Sequence, residues 1–336
     1  MTPRQFYTQI LKHTQKAERW CVASVVQTRG STPRKKGTQM AVALDQSGAL
    51  IAPIASIGGG AGEAKVLRAA AALLSAAAQK HETHETHETH ETHETHATHA
   101  TLEIDLSGQA ESGSATATSG VCGGHMRLCL SRFSGAQLHQ RAREIGDALK
   151  AGRAMQIDPI TLLPTDQTAH ESLSLLPAPM CLIGGGGHCG AALAELLVRL
   201  GFPVAVIDER DEVFGCALSP ELEISAYSDW ASAAREAKTY QDYGAPAAIA
   251  VLLSRSYSHD LTALQAIAQS EVEFSLIGMM GSARRIRLVR QQLGEFPAAL
   301  LTVLKAPIGL QIGAETPSEI AVSIAAELLS LRKFGQ

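Results

Sequence analysis

The chain has 336 residues, enough for two domains that each bury a core. Its 33 acidic residues outnumber 29 basic ones, and the net charge of −4 argues against nucleic acid as a partner. No apolar run reaches the ~18 residues of a membrane span. Met1 to Trp20 holds no apolar signal core, and the six cysteines fall singly with no Cys-x-x-Cys pair, so the sequence predicts a cytoplasmic protein with reduced thiols.

Residues 3–17 have the spacing of an amphipathic helix, with Phe6, Ile10 and Leu11 on one face. Residues 21–26 predict a strand, which runs into the basic turn Gly30-Ser31-Thr32-Pro33-Arg34-Lys35-Lys36-Gly37. A second strand follows at 40–44. Gly58-Gly59-Gly60 then opens an alanine-rich helix with Glu63 in its first turn. Residues 81–101 are a His-Glu-Thr repeat decaying to His-Ala-Thr, whose period of three fits neither a helix face nor a strand. It is read as a low-complexity surface insert, dispensable for folding and function. Strands are expected at 102–106 and 125–130, separated by a Ser/Gly/Ala/Thr loop that ends in Val121-Cys122-Gly123-Gly124. A helix near 136–150 and a proline-bearing stretch are read as the inter-domain connection.

From residue 180 onward, apolar runs and helical patterns alternate: 180–183, 191–200, 204–207, 229–238, 247–253, 260–269, 274–277, 282–292 and 317–331. That alternation predicts a doubly wound parallel sheet. The fold class expected is therefore α/β. A C-terminal Rossmann-like domain (179–336) joins a smaller N-terminal α+β domain (1–134) through a connection at 135–178.

The sharpest motif is Gly-Gly-Gly-Gly-His-Cys-Gly at 184–190, between an apolar run and a helical pattern. Gly185-x-Gly187-x-x-Gly190 is a dinucleotide fingerprint, and Asp208 ends the next strand at the distance a ribose-binding acid requires. Glycines let backbone approach a pyrophosphate, and helix amides hold the anion. His188 can donate to a phosphate or simply face solvent. Arg210 can clamp a phosphate or pair with Glu209 or Asp211. Gly281-Ser282, followed by Arg284 and Arg285, repeats the glycine-turn design with added cations. Thr316-Pro317-Ser318-Glu319 reads as a capping box. Cys122 reads either as a thiolate presented on a bend or as a small apolar residue starting a strand. No Tyr-x-x-x-Lys pair or clear His–carboxylate couple is visible, and adjacent His259-Asp260 would not face each other. These features favour a binding protein over the alternative, an NAD(P)-dependent oxidoreductase.

Several of these pieces together resemble the XdhC/CoxI family. They are Gly30-Ser31-Thr32-Pro33-Arg34, Ile57-Gly58-Gly59-Gly60 with Glu63, Val121-Cys122-Gly123-Gly124, and Gly185-Gly186-Gly187-His188 with Asp208 and Arg210. Ile277-Gly278-x-x-Gly281-Ser282 with Arg284-Arg285 follows, then Ala306-Pro307-Ile308-Gly309-Leu310-x-Ile312-Gly313-Ala314-x-Thr316-Pro317-x-Glu319-Ile320-Ala321. The insert at 81–101 has no counterpart in that pattern. The resemblance implies a non-catalytic maturation factor that binds the molybdenum cofactor, as molybdopterin or its cytosine dinucleotide form. Such a factor protects the cofactor while a cysteine desulfurase supports its sulfuration, then inserts it into a molybdenum hydroxylase such as xanthine dehydrogenase. It further implies a homodimer and a molybdenum contact at Cys122. The cofactor-binding residues expected are Arg34, Gly58, Gly59, Gly60, Glu63, Cys122, Gly123, Gly124, Gly185, Gly187, His188, Gly190, Asp208, Arg210, Gly281, Ser282 and Arg284. NAD(P) or another nucleotide remains a second ligand for the Rossmann turn.

Overall fold

The computed structural model describes residues 1–45, 47–76, 98–106, 123–166, 171–210, 219 and 221–332, so Cys122 and the 81–97 part of the repeat lie outside the described residues. The chain divides into two compact units: the first takes in residues 3–150 and 154–176, the second residues 151–153 and 177–336.

In unit 1 the elements run α1 (Pro3–His13), β1 (Arg19–Arg29), β2 (Gln39–Leu44), β3 (Leu50–Ile54), α2 (Gly60–Ser75), β4 (His99–Asp105), β5 (His125–Ser134) and α3 (Gly135–Lys150). The five strands form one sheet in the order β3-β2-β1-β5-β4, with every pairing antiparallel. Strand β1 is apolar from Trp20 to Val26 except at Ser24, because both faces of that stretch are covered. Trp20, Val22 and Val26 pack with α1 and α3, while Cys21, Ala23 and Val25 pack with α2. Burial pushes the Cys21 thiol up to about 12, as it does for Cys181 in the other unit, so both behave as core side chains.

Two segments differ from expectation. Strand β4 begins at His99, so the last residues of the repeat pair with β5. Much of the stretch expected as a connection belongs to unit 1, which takes in residues 135–150 and 154–176. Leu138, Ala142, Ile145 and Leu149 of α3 pack beside α1, and the short antiparallel pair β6 (Met155–Ile157) and β7 (Leu173–Leu175) adds Ile157, Leu173 and Leu175. Their apolar spacing is core spacing, which the neighbouring prolines obscured.

Unit 2 runs β8 (Cys181–Gly184), α4 (His188–Arg199), β9 (Val204–Ile207), β10 (Ile224–Tyr227), α5 (Trp230–Asp242), β11 (Ala248–Leu252), α6 (Tyr257–Gln269), β12 (Phe274–Met279), α7 (Ala283–Gln292), α8 (Ala298–Val303), β13 (Leu304–Lys305) and α9 (Pro317–Arg332). Its six-stranded sheet is parallel, in the order β10-β9-β8-β11-β12-β13. Ile183, Val206 and Val251 face α4 and α9, whereas Leu182, Ala205, Ala250 and Leu252 face α5, α6 and α7. This is the doubly wound sheet that the sequence predicted. The strand order reverses between β8 and β11, the place where open α/β sheets bind ligands beyond the strands' carboxyl ends. Strands β10 and β13 and helix α8 were not expected: β10 is a half-buried edge strand, Ile-Ser-Ala-Tyr, without the apolar run of β9, and the other two span only two and six residues. Among the described residues no helix is long and apolar enough to cross a membrane.

Candidate functional site

Beyond the carboxyl ends of β8, β9 and β11, unit 2 holds a cavity of about 690 Å³. Its wall includes Gly185 and Gly187, the strand-end residues Asp208, Glu209 and Arg210, and Arg255, Ser258 and His259 around the start of α6. The apolar part comes from Ile207, Trp230, Leu253 and Ala266. Two glycines of the turn are dictated by close approach. A Cβ on Gly190 would stand 1.8 Å from the Gly185 carbonyl oxygen, and Gly185 itself has φ +109 with the Leu253 carbonyl beside it. Helix α4 starts at His188, which is exposed, and its first turn carries no acidic residue and no side-chain cap. Its N-terminal amides and dipole are therefore not neutralised from within, a setting that favours an anion.

Asp208 is placed where the fingerprint requires, but it is already engaged. Its Oδ2 accepts from the Gly186 amide at 2.9 Å and from Arg210 Nη2 at 2.8 Å. Its Oδ1 accepts from the Arg210 amide at 3.1 Å and from Arg210 Nε at 2.9 Å. Burial raises this carboxyl's pKa, yet the hydrogen bonds from Arg210 and Gly186 and the guanidinium charge outweigh it and hold the group at about 2. The sequence offered Glu209 or Asp211 as the partner of Arg210; among the described residues the guanidinium pairs with Asp208, and Asp211 lies outside the described residues.

Glu209 serves other groups. It accepts from Arg255 Nη2 at 2.5 Å and lies 3.3 Å from His259 Nε2. His259 Nδ1 is 2.5 Å from Ser256 Oγ, the N-cap oxygen of α6. The tautomer protonated at Nε2 satisfies both contacts. The His–carboxylate couple that the sequence did not reveal is thus present, between residues 50 apart. Only the adjacency of strand ends across β9, β8 and β11 brings them together. Asp260, fully buried, instead binds Arg285 (Nε to Oδ2 at 2.6 Å) and Ser254 Oγ (2.6 Å). That network ties α6 to α7 and takes Arg285 out of the pool of anion-binding cations.

In unit 1 the glycine motifs meet one another. Gly124 lies so close to the 29–31 backbone that a Cβ there would stand 2.3 Å from the Ser31 carbonyl oxygen, and one on Gly58 would stand 2.6 Å from Pro33 Cγ. Arg34 Nε donates to the Ser56 carbonyl at 3.2 Å. The structure thus gathers Arg34, Gly58, Gly59, Gly60, Gly123 and Gly124 at one end of the sheet. Glu63 is corrected from ligand contact to internal cap. Its Oε2 accepts from the Ile57 amide (3.1 Å), the Gly59 amide (3.0 Å) and Ser56 Oγ (2.5 Å). Gly59, Gly60 and Gly123 have nothing within 4 Å of where a Cβ would lie, so a ligand can approach their backbone directly.

Two family models match this sequence: "XdhC and CoxI family" over residues 13–85 and "XdhC Rossmann domain" over residues 181–328. The chain belongs to the XdhC and CoxI family. A Bacillus subtilis protein, named as a probable subunit of xanthine dehydrogenase, is 32% identical over 171 residues, 50% of this chain and 48% of that one. An uncharacterised Escherichia coli protein, YqeB, is 31% identical over 156 residues, 46% of this chain and 27% of that one. The match therefore spans less than half the length of either relative. The crystal structure of a Bacillus halodurans protein, described as a xanthine dehydrogenase, superposes with a TM-score of 0.71 at 18% identity. It covers 100% of this chain and 97% of that one, and shows a shared fold.

Of the residues expected at an XdhC site, Gly185, Gly187, Asp208 and Arg210 line the unit 2 cavity; Gly190 and His188 do not. Gly190 serves packing. Gly281, Ser282 and Arg284 also lie off the cavity lining. Ser282 is the N-cap of α7 and accepts from the Arg285 amide at 3.3 Å, and Arg284 is exposed. The capping box holds as read: Glu319 Oε2 accepts from the Thr316 amide at 2.9 Å. Sequence reasoning missed Trp230, Arg255 and the Glu209–His259 couple. Trp230 carried a signal, since it follows Asp229, an N-cap that accepts from the Ser232 amide. The other contacts are long-range and left no local pattern.

Proposed function

We propose that this chain is a non-catalytic accessory protein that binds the molybdenum cofactor, supports its sulfuration with a cysteine desulfurase, and inserts it into a xanthine dehydrogenase-like hydroxylase. The observation that carries the reading is the gathering of Arg34, Gly59, Gly60 and Gly123 at one sheet end, with open backbone edges next in sequence to Cys122. Arginine suits the cofactor's phosphate, and the open space beside Gly59, Gly60 and Gly123 lets a ligand come close to the chain. The soft sulfur of Cys122, which lies outside the described residues, suits its metal. The name of the Bacillus subtilis relative supports the choice of client. When bound, the cofactor supplies the redox-active metal that the client uses. This chain's residues hold it for transfer. The unit 2 cavity, with its glycine turn and uncapped α4, takes a phosphorylated nucleotide.

The full chain, purified from a molybdenum-replete host, is expected to carry a molybdenum-bearing pterin by mass spectrometry. Cys122→Ala is expected to lower both that retention and activation of the apo-hydroxylase. Unchanged values for Cys122→Ala, or a protein free of pterin, would overturn the reading. The Glu209–His259 couple on the cavity wall favours a second reading, an NAD(P)-dependent oxidoreductase, because a hydrogen-bonded histidine there can move a proton. Bound NAD(P) with substrate turnover that His259→Gln abolishes would select it.

A further inference from the structure

Unit 1 holds a cavity of about 560 Å³ at the end of its sheet where β1 begins and β5 finishes. That volume is in the range of small-molecule pockets. Arg19, Arg132 and Arg141 line it, and no carboxylate does among the described residues. Phe133, Ile160 and Leu163 give it an apolar side.

Strand register explains why two of the arginines meet. Arg132 pairs with Cys21, and Ser134 pairs with Arg19. Side chains two residues apart share a face of a sheet, so Arg19 and Arg132 are diagonal neighbours on one face. Like charges placed across neighbouring strands repel. No acid answers Arg132 here. It is half-buried and makes no side-chain hydrogen bond or ion pair among the described residues, so all of its N–H donors are open. Arg19 Nη1 donates to the Leu74 carbonyl at 3.1 Å, in the last turn of α2. A helix end offsets only about half a charge. Arg141 is the neutralised member, since its Nη1 donates to Glu144 Oε2 at 2.9 Å. Nearby acids in the sequence are occupied or face elsewhere. Asp158 Oδ1 accepts from the Ile160 and Thr161 amides, both at 2.8 Å, and Glu18 lines a different cavity.

The cavity therefore carries more than one positive charge that the chain does not balance. That excess selects the charge of a ligand. A carboxylate brings about one negative charge, whereas a phosphate monoester brings about 1.5 to 2 near pH 7. Its three acceptor oxygens also match forked donors.

We propose that this cavity binds a small phosphate monoester, with Arg132 as its main holder, Arg19 as the second, and Phe133, Ile160 and Leu163 against the organic group. The site is separate from the glycine cluster of unit 1. That cluster lies beyond Arg29, at the far end of the 11-residue strand β1, roughly 30 Å away at ~3.3 Å per residue. The assignment is thus independent of the molybdenum cofactor reading, and neither depends on the other.

The test is calorimetric titration of the full chain with phenyl phosphate, inorganic phosphate and benzoate. It is run at about 0.15 M salt, where exposed charges more than ~8 Å away are screened. Phenyl phosphate is expected to bind about tenfold more tightly than benzoate and about threefold more tightly than inorganic phosphate. Arg132→Gln should weaken phenyl phosphate binding by about tenfold, and Arg19→Gln by about threefold. Only the difference between wild type and variant is read, so phosphate held at the start of α4 does not count. If the glutamine variant does not fold, Arg132→Lys takes its place; it keeps the charge, loses the fork, and should weaken binding by about threefold. Benzoate or inorganic phosphate binding as tightly as phenyl phosphate would overturn the proposal. So would an affinity unchanged in the folded Arg132 variant, or no saturation by phenyl phosphate at millimolar concentration.

Discussion

Gly58-Gly59-Gly60 opens α2 and Gly184 to Gly187 opens α4, yet the two turns are neutralised to different extents. At the first, Glu63 reaches back and its carboxylate takes the Ile57 and Gly59 amides and the Ser56 hydroxyl. At the second, Asp208 takes the Gly186 amide, but α4 has no acid in its first turn, and Gly184, Gly185 and Gly187 line a cavity of about 690 Å³. A glycine-rich helix start is an anion site only when the chain does not supply the anion itself. In unit 1 the Ile57 and Gly59 amides are spent on Glu63 and the Gly123 amide on the Leu106 carbonyl, which leaves only open space beside these glycines for a ligand. In unit 2 the helix end is left.

The strongest way to break the comparison is Gly190→Ala. Its Cβ would press to 1.8 Å from the Gly185 carbonyl oxygen, so we expect a loss of about 3 kcal/mol or more from unit 2. Urea unfolding followed at Trp230 reads it, and a loss below about 1 kcal/mol would show that the turn relaxes freely.

Asp208→Asn should cost about 2 kcal/mol at neutral pH, because the native carboxyl is held at about 2, below its unfolded value. The sign follows from that depression. The contribution is fully present above the unfolded pKa of ~4 and fades as pH falls through about 2. Denaturation at pH 7 and pH 3 should therefore show the two proteins converging in acid.

Glu63→Gln is a milder test, expected to cost about 1 kcal/mol by weakening charge-assisted bonds to the loop amides. It should also leave those amides better able to hold phosphate, seen as amide shift changes on titration. If stability and shifts both stay as in the wild type, the internal-cap account of Glu63 fails. Gly59→Ala sharpens the contrast through backbone alone. Its φ of +75 with ψ −173 lies in a region essentially confined to glycine, so backbone strain of about 1–3 kcal/mol is expected despite the open space around the added methyl. A larger fall in cofactor retention than in stability would mark that edge as ligand-facing.

Much of unit 2 was legible because its signals are local. Apolar runs of strand length alternate with helical periods, and the glycine fingerprint follows the first of them. The strand Ile224–Tyr227 escaped because, at the sheet edge and half-buried, it lacks the apolar run of Val204–Ile207, and the helix Ala298–Val303 because six residues show no period. Helix α3 was visible as a helix, but its membership in the unit 1 core was not, since Leu138, Ala142 and Ile145 announce burial without naming a partner. The Glu63 cap had a local signal, an acid four residues after Gly59, which reads equally well as a ligand contact.

By itself, the order of residues determined the alternation of elements, the glycine turn that admits backbone near a phosphate, the acid at the end of β9, and the motifs that mark the family. Those depend on neighbours within a few residues, where backbone sterics and helix or strand periods act. Only the tertiary structure decided which charges cancel. Strand order brings Glu209 to His259 and Arg255, burial sets Asp208 behind Arg210, and packing hands Asp260 to Arg285. Electrostatic partners are chosen by distance in space, and along a chain wound on both faces of a sheet that distance is unrelated to separation in sequence.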